Sequence, residues 1–102
     1  MKLYDYHRST ACYRVRIALN IKNLPYKTIP IHLQGEHGEQ NAEAYQKINS
    51  QQLVPTLDIQ GHTLNQSIAI IEYLEELQPE PALLPKDFFM RAQIRSLALM
   101  IA

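Results

Sequence analysis

Ser9-Thr10-Ala11-Cys12-Tyr13-Arg14-Val15-Arg16 is the stretch over which the chain changes its period. Before it, Lys2-Leu3-Tyr4-Asp5-Tyr6 alternates with a period of two and carries two tyrosines, which predicts a short strand. After a polar break at His7 to Thr10, the pattern becomes helical from about Ala11 to Asn23. Ala11, Val15, Ile17, Ala18, Ile21 and Leu24 make one broad apolar stripe, with Arg16, Asn20 and Asn23 opposite. A strand that hands over to a helix leaves unpaired N–H groups and the positive end of the helix dipole at one point, a place for an anion or a thiolate. Ser9 and Thr10 suit that place as donors, although a Ser/Thr pair at a helix start is more often simply an N-cap. Arg14 falls within the apolar stripe, between Ala18 and Ile21, so its charge must be paired or point towards something anionic. Cys12 reads in two ways as well. Thiol–disulfide chemistry at such a turn uses Cys-x-x-Cys, but Ser9 holds the first position of that spacing, so Cys12 reads as small buried filler.

Working outward, Tyr26 to Ile31 predicts a second strand, with Pro30 marking a sheet edge or a bulge. His32 to Gln40 reads as a loop and residues 41–48 as a short helix. Val54 to Ile59 predicts a third strand, Gln60-Gly61 a tight turn and His62 to Leu64 a fourth strand, together a hairpin. Ser67 to Leu77 predicts a helix with Ile68, Ile71, Leu74 and Leu77 inward and Glu72, Glu75 and Glu76 outward. The order β-α-β-α-β-β-α is the α/β thioredoxin-like plan, its first two strands parallel and its hairpin an antiparallel edge.

Gln78 to Pro85 is a proline-punctuated linker, after which Asp87 caps a further helix with Met90, Ile94, Leu97 and Ile101 in register. That helix runs out on six apolar residues, Leu97 to Ala102, without a capping glycine or a polar stop. The expectation is a first domain over residues 1–79, and over 80–102 a linker plus the first helix of an all-α second domain whose remainder is absent. A helix packed on a second copy of itself is the alternative.

Composition narrows the function. With 102 residues the chain holds one core, and ten Lys/Arg against ten Asp/Glu leave no net charge, which removes the basic footprint of a nucleic-acid or anionic-membrane binder. The single cysteine and the lack of any apolar run of membrane-spanning length fit a cytoplasmic location. His7, His32, His37 and His62 show no metal-ligand spacing, and no phosphate loop or dinucleotide fingerprint is present. Two more segments carry chemistry. Val54-Pro55, placed as it is in a thioredoxin-like order, is a cis-peptide candidate that would offer the Val54 backbone to a ligand; read on its own it is a strand-start proline, for which the base rate favours trans. Gln66-Ser67 opens a helix, where Ser67 reads as an N-cap and also as a carboxylate binder.

Ser9 to Leu19 resembles the signature of zeta-class glutathione transferases, the maleylacetoacetate isomerases: Ser-Ser-Cys or Ser-Ser-Ala, a small residue, an aromatic, then Arg-Val-Arg-Ile-Ala-Leu. Asn49 to Leu57, Gln66 to Leu74 and Leu83-Leu84-Pro85 are similar to that family's Val-Pro, Gln-Ser and linker segments, so the likeness covers the whole chain. The family's chain is about twice as long. The resemblance implies glutathione as cofactor, with Ser9 holding its sulfur as thiolate and Thr10 and Arg14 sharing the catalytic turn. Ala11, Cys12 and Tyr13 would line the same pocket, and Gln40 would contact glutathione from the loop. Val54 would pair through its backbone beside a cis Pro55, and Gln66 and Ser67 would hold the γ-glutamyl end. Thr10 stands where the family has its second Ser, and Ala11 where many members have Cys.

The implied activity is cis–trans isomerisation of maleylacetoacetate to fumarylacetoacetate in tyrosine catabolism, by reversible thiolate addition, in a homodimer at full length. General glutathione transfer or peroxide reduction is the first alternative, and a non-catalytic interaction module of transferase fold the second. Intact Ser9, Arg14, Gln66 and Ser67 weigh against the module.

Overall fold

The computed structural model describes residues 1–31 and 54–102. Strand β1 (Lys2–Asp5) lies at the centre of a four-stranded sheet of order β2-β1-β3-β4, parallel to β2 (Lys27–Pro30) and antiparallel to β3 (Thr56–Ile59). The β3 strand turns back into β4 (His62–Asn65), so the sheet has the parallel start and antiparallel edge of the thioredoxin-like plan. Gln60 and Gly61 make the turn with φ of 52° and 89°, the left-handed pair that a two-residue hairpin requires. The Gly61 N–H donates to Asp58 Oδ1 at 2.9 Å. Pro30 lies on the edge strand, where a missing N–H costs no ladder bond.

Helix α1 (Thr10–Ile21) starts on Ser9, whose hydroxyl oxygen accepts from the Cys12 N–H at 3.2 Å. It stops at Asn23, held at a φ of 53°, with Asn23 N–H donating to Asn20 O and Leu24 N–H to Leu19 O, both at 3.1 Å. This is a Schellman stop, with asparagine in the left-handed position. Helix α2 is Ser67–Leu77, and α3 is Phe88–Ile101, capped by Asp87 through the Met90 N–H at 2.9 Å. The helix expected over 41–48 lies outside the described residues.

Leu3 and Leu57 face each other across β1 and β3, and Val15, Ala18 and Leu19 of α1 pack with Ile70 and Leu74 of α2 over that pair. Asp5, two residues along from Leu3 and so on the same face, is buried. The Arg16 Nη1 atom from α1 lies 2.5 Å from each of its carboxylate oxygens.

Three expectations about these helices fail: Leu77, expected inward in the last turn of α2, is 49% exposed, and two others concern α1 and Glu75. Ile17 and Ile21 are 41% and 45% exposed, while Cys12, Val15, Ala18, Leu19 and Lys22 form the buried face of α1. At 3.6 residues per turn, Ile17 and Ile21 lie about 200° and 240° round from Val15, beyond the reach of one buried face. Arg14 therefore sits on the flank of that face and not in its middle. Glu75, expected outward, is buried, because a lysine from α1 meets it inside. Among the described residues no helix is long and apolar enough to cross a membrane.

Candidate functional site

The start of α1 and the start of α2 open side by side onto a small cleft of about 100 Å³. Its walls are Ala11 and Arg14 from α1, Val54 and Pro55 ahead of β3, Gln66 and Ser67 at the head of α2, and the terminal Ala102. The Val54–Pro55 peptide is cis, the candidate form and not the trans form that the base rate of such bonds favours.

Arg14 reaches across from α1, and its Nη1 donates to Ser67 Oγ at 2.8 Å. None of the described carboxylates pairs with this guanidinium. Among the described residues its charge thus faces only a neutral hydroxyl, in a half-buried position where a cation without a counter-ion is costly. Ser67 is the first residue of α2 and is buried, so it is not the N-cap expected of it. The cap position belongs to Gln66, whose φ of 71° and ψ of 117° form a backbone that residues with a side chain rarely adopt. Strain of this kind persists where the surroundings over-determine it, and here it lies on the wall of the cleft. An accepting hydroxyl keeps its own proton for a further partner, so Ser67, bonded by Arg14, remains a donor towards the cleft.

Ser9 precedes the cleft-lining Ala11 on the same turn and is partly exposed. Its oxygen is taken by the Cys12 N–H and its proton is available to donate. Cys12 points the other way. Its side chain is fully buried, and its sulfur accepts from the Tyr6 N–H at 3.4 Å. Burial pushes the Cys12 thiol above its ordinary range, with the Asp5 charge adding to the effect and the bonds from Ser9 and Tyr6 offsetting part of it.

The structure thus brings together Ala11, Arg14, Val54, Pro55, Gln66 and Ser67. Ser9, Thr10, Cys12 and Tyr13 belong to the same turn but do not wall the cleft. Thr10 and Tyr13 are exposed, and the Tyr13 ring lies 5.6 Å from the Arg16 guanidinium carbon. Gln40 lies outside the described residues. Sequence reading missed what Arg14 touches, because a contact spanning 53 residues leaves no local pattern. It also missed Lys22, although position 22 continues the buried spacing 15, 18, 19.

The site therefore combines a thioredoxin-like sheet, a cis-proline segment and two helix starts that open onto one small cleft bordered by the Arg14 cation. The chain matches the family of the glutathione S-transferase N-terminal domain over residues 3–82, and it belongs to that family. It is 50% identical over 102 residues to the maleylacetoacetate isomerase of Pseudomonas aeruginosa, covering 99% of this chain and 48% of that protein. Against the maleylacetoacetate isomerase of Rattus norvegicus it is 47% identical over 100 residues, covering 98% and 46%. Among solved structures it is similar to the holo form of a bacterial zeta-class maleylpyruvate isomerase, with 50% identity, a TM-score of 0.88 and coverage of 96% of this chain and 45% of that one. It is also similar to the maleylacetoacetate isomerase of Methylobacterium extorquens with bound malonate and glutathione, with 43% identity, a TM-score of 0.90 and coverage of 100% and 47%. The chain spans about half the length of the curated relatives it matches.

Proposed function

We propose that this chain is the glutathione-binding part of a zeta-class transferase that isomerises maleylacetoacetate to fumarylacetoacetate. The observation that carries the reading is the Arg14–Ser67 pair at the head of α2, a cation without a carboxylate among the described residues, bordering a cleft beside a cis Val54–Pro55. This donor set fits glutathione: a cation and a hydroxyl for a carboxylate, a backbone segment for a peptide, and a serine at a helix start for a sulfur.

When bound, glutathione supplies a thiol whose reversible addition to a cis double bond lets that bond rotate. Ser9 donates its hydroxyl proton to the sulfur and favours the thiolate, helped by the positive end of α1. Lowering a thiol of pKa about 8.5 by two units takes about 2.7 kcal/mol, within reach of one donor and a helix start. Thr10 and Arg14 share that turn: Thr10 offers a second hydroxyl and Arg14 a positive field. Ser67 and Gln66 hold the γ-glutamyl end, with Arg14 orienting the Ser67 hydroxyl, and the Val54 backbone pairs with the cysteinyl part. Ala11 keeps the turn small enough for close approach, Tyr13 shields its outer side and Cys12 packs beneath it, and the family resemblance adds Gln40, outside the described residues, as a glutathione contact.

In this reading residues 1–79 are the glutathione domain, and residues 80–102 lead into a helical domain that would supply the acceptor site. The parent protein works in the cytoplasm as a homodimer. Calorimetric titration of the chain with glutathione, beside S-methylglutathione, tests the binding reading. Binding of both with no proton released on adding glutathione would contradict thiolate stabilisation. Turnover of maleylacetoacetate, compared with a halogenated aromatic acceptor, separates isomerase from general transferase.

A further inference from the structure

At the far ends of α1 and α2 lies a second bridge that the glutathione reading does not use. The Lys22 ammonium, fully buried, donates to Glu75 Oε1 at 2.7 Å, to the Gln78 carbonyl at 2.6 Å and to the Pro81 carbonyl at 2.9 Å. All three of its protons are used. The Glu75 carboxylate in turn accepts from the Leu83 N–H at 3.0 Å to each oxygen and from the Leu84 N–H at 2.8 Å. Four backbone groups of one irregular segment therefore end on a single ion pair.

A buried ion pair contributes little stability that apolar residues of equal volume would not, because desolvation offsets its attraction. Its hydrogen bonds are directional, however, and apolar contacts are not. The segment it binds has no helix or strand of its own, so nothing else in its backbone fixes its course. The next element, α3, has no buried residue, and its ion pair back to α2 runs from Arg95 to Glu72. We propose that Lys22 and Glu75 form a latch that seats the Gln78–Leu84 linker on the first domain and thereby sets where α3 lies beside the cleft. Leu83 also packs against the core, and that apolar contact is the rival explanation for the seat.

Residue-resolved amide exchange on this chain separates the two. The informative variant is the double replacement Lys22→Met with Glu75→Leu, which keeps volume and leaves no buried charge; Glu75→Gln serves beside it. In the double variant the amides of Leu3, Leu19 and Leu57 keep their parental protection, while those of Leu83 and Leu84 exchange at least tenfold faster. Thermolysin then cuts between Ala82 and Leu83, and residual dipolar couplings of α3 cease to fit the alignment of the sheet. In Glu75→Gln the loss at Leu83 and Leu84 is in the same direction and smaller. Parental protection at Leu83 and Leu84 in the double variant would overturn the latch in favour of Leu83 packing. Simultaneous loss of protection in the sheet would overturn it too, since the pair would then be a requirement of the fold and not a seat for the linker.

Discussion

Arg14 bonds to Ser67, and Lys22 to Glu75, each across 53 residues of sequence. The two bridges are rungs between the same pair of helices, which run in the same direction, and eight residues separate the rungs on each side. They differ in what they leave over. The Lys22 rung is an ion pair in which every ammonium proton and both carboxylate oxygens are bonded, and both side chains are buried. The Arg14 rung joins a cation to a neutral hydroxyl and borders a cleft. In the readings proposed above, the complete bridge seats the backbone beside it, and the one left incomplete among the described residues is where a ligand would enter. On those readings the same helix pair does both jobs, separated by about two turns of helix.

The sharpest way to break the comparison is to make the complete rung incomplete. Glu75→Ala leaves Lys22 charged in the interior and should cost about 3–5 kcal/mol of stability, read by urea denaturation. The double replacement Lys22→Met with Glu75→Leu should return most of that loss. The acid side gives a second reading. Burial raises the Glu75 carboxyl, but the bonds from Lys22, Leu83 and Leu84 outweigh it and hold the group below the ordinary carboxylate value. A depressed folded pKa contributes stability that is present above the unfolded value of about 4.3 and is lost as pH falls through the folded one. The parent should therefore lose stability more steeply than Glu75→Gln below that pH, and parallel curves would remove Glu75 from the account.

Next in size is the Ser9 turn, proposed above to be catalytic. Ser9→Ala in the parent enzyme should raise the pKa of bound glutathione and cut turnover by about 10²-fold, the usual cost of one stabilising donor. An unchanged pH–rate profile would sink the assignment. Stability should fall by only about 1 kcal/mol, the cost of a lost N-cap. At the incomplete rung, Ser67→Ala should weaken glutathione binding by about 1–3 kcal/mol and leave the chemical step nearly unchanged. If kcat drops while KM for glutathione holds, Ser67 belongs to the chemistry and the two ends of the site have been assigned the wrong way round.

Much of this was legible in the sequence, for identifiable reasons. The period change at Ser9, the alternation before it and the Gln60-Gly61 turn are local signals, and the strands and helices they predict are present within one or two residues at each end among the described residues. The thioredoxin-like order followed from those elements, and the family followed from the Ser9–Leu19 motif. Long-range polar pairing was not legible. Lys22 and Glu75 each sit on a core register, at 15+7 and 71+4, yet each reads as surface because charge outweighs position in a one-helix pattern. Only the coincidence of two opposite charges on two buried faces reveals the pair. Arg14 failed more mildly: its unusual placement was recognised, but counting Ile17 and Ile21 as inward put the centre of the face in the wrong place.

Cys12 gives the smallest effect and tests the boundary between the two rungs. It lies by sequence on the turn proposed to be catalytic, but its fully buried side chain belongs with the core residues. Burial raises its pKa, and the hydrogen bonds from Ser9 and Tyr6 do not reverse that, so the thiol stays protonated near neutrality. A raised folded value stabilises the fold below the unfolded thiol pKa, and this contribution is lost as pH rises through the folded one. Cys12→Ala should therefore keep turnover within a few-fold of the parent, cost about 1 kcal/mol of stability for the small cavity, and flatten the alkaline fall in stability. In the native parent, a thiol reagent at pH 7.5 should modify Cys12 no faster than the chain opens. If the thiol reacts quickly while the fold is intact, or if Cys12→Ala abolishes turnover with glutathione still bound, the sulfur belongs to the reactive site. The division between a complete rung that builds and an incomplete rung that binds would then have to be redrawn around it.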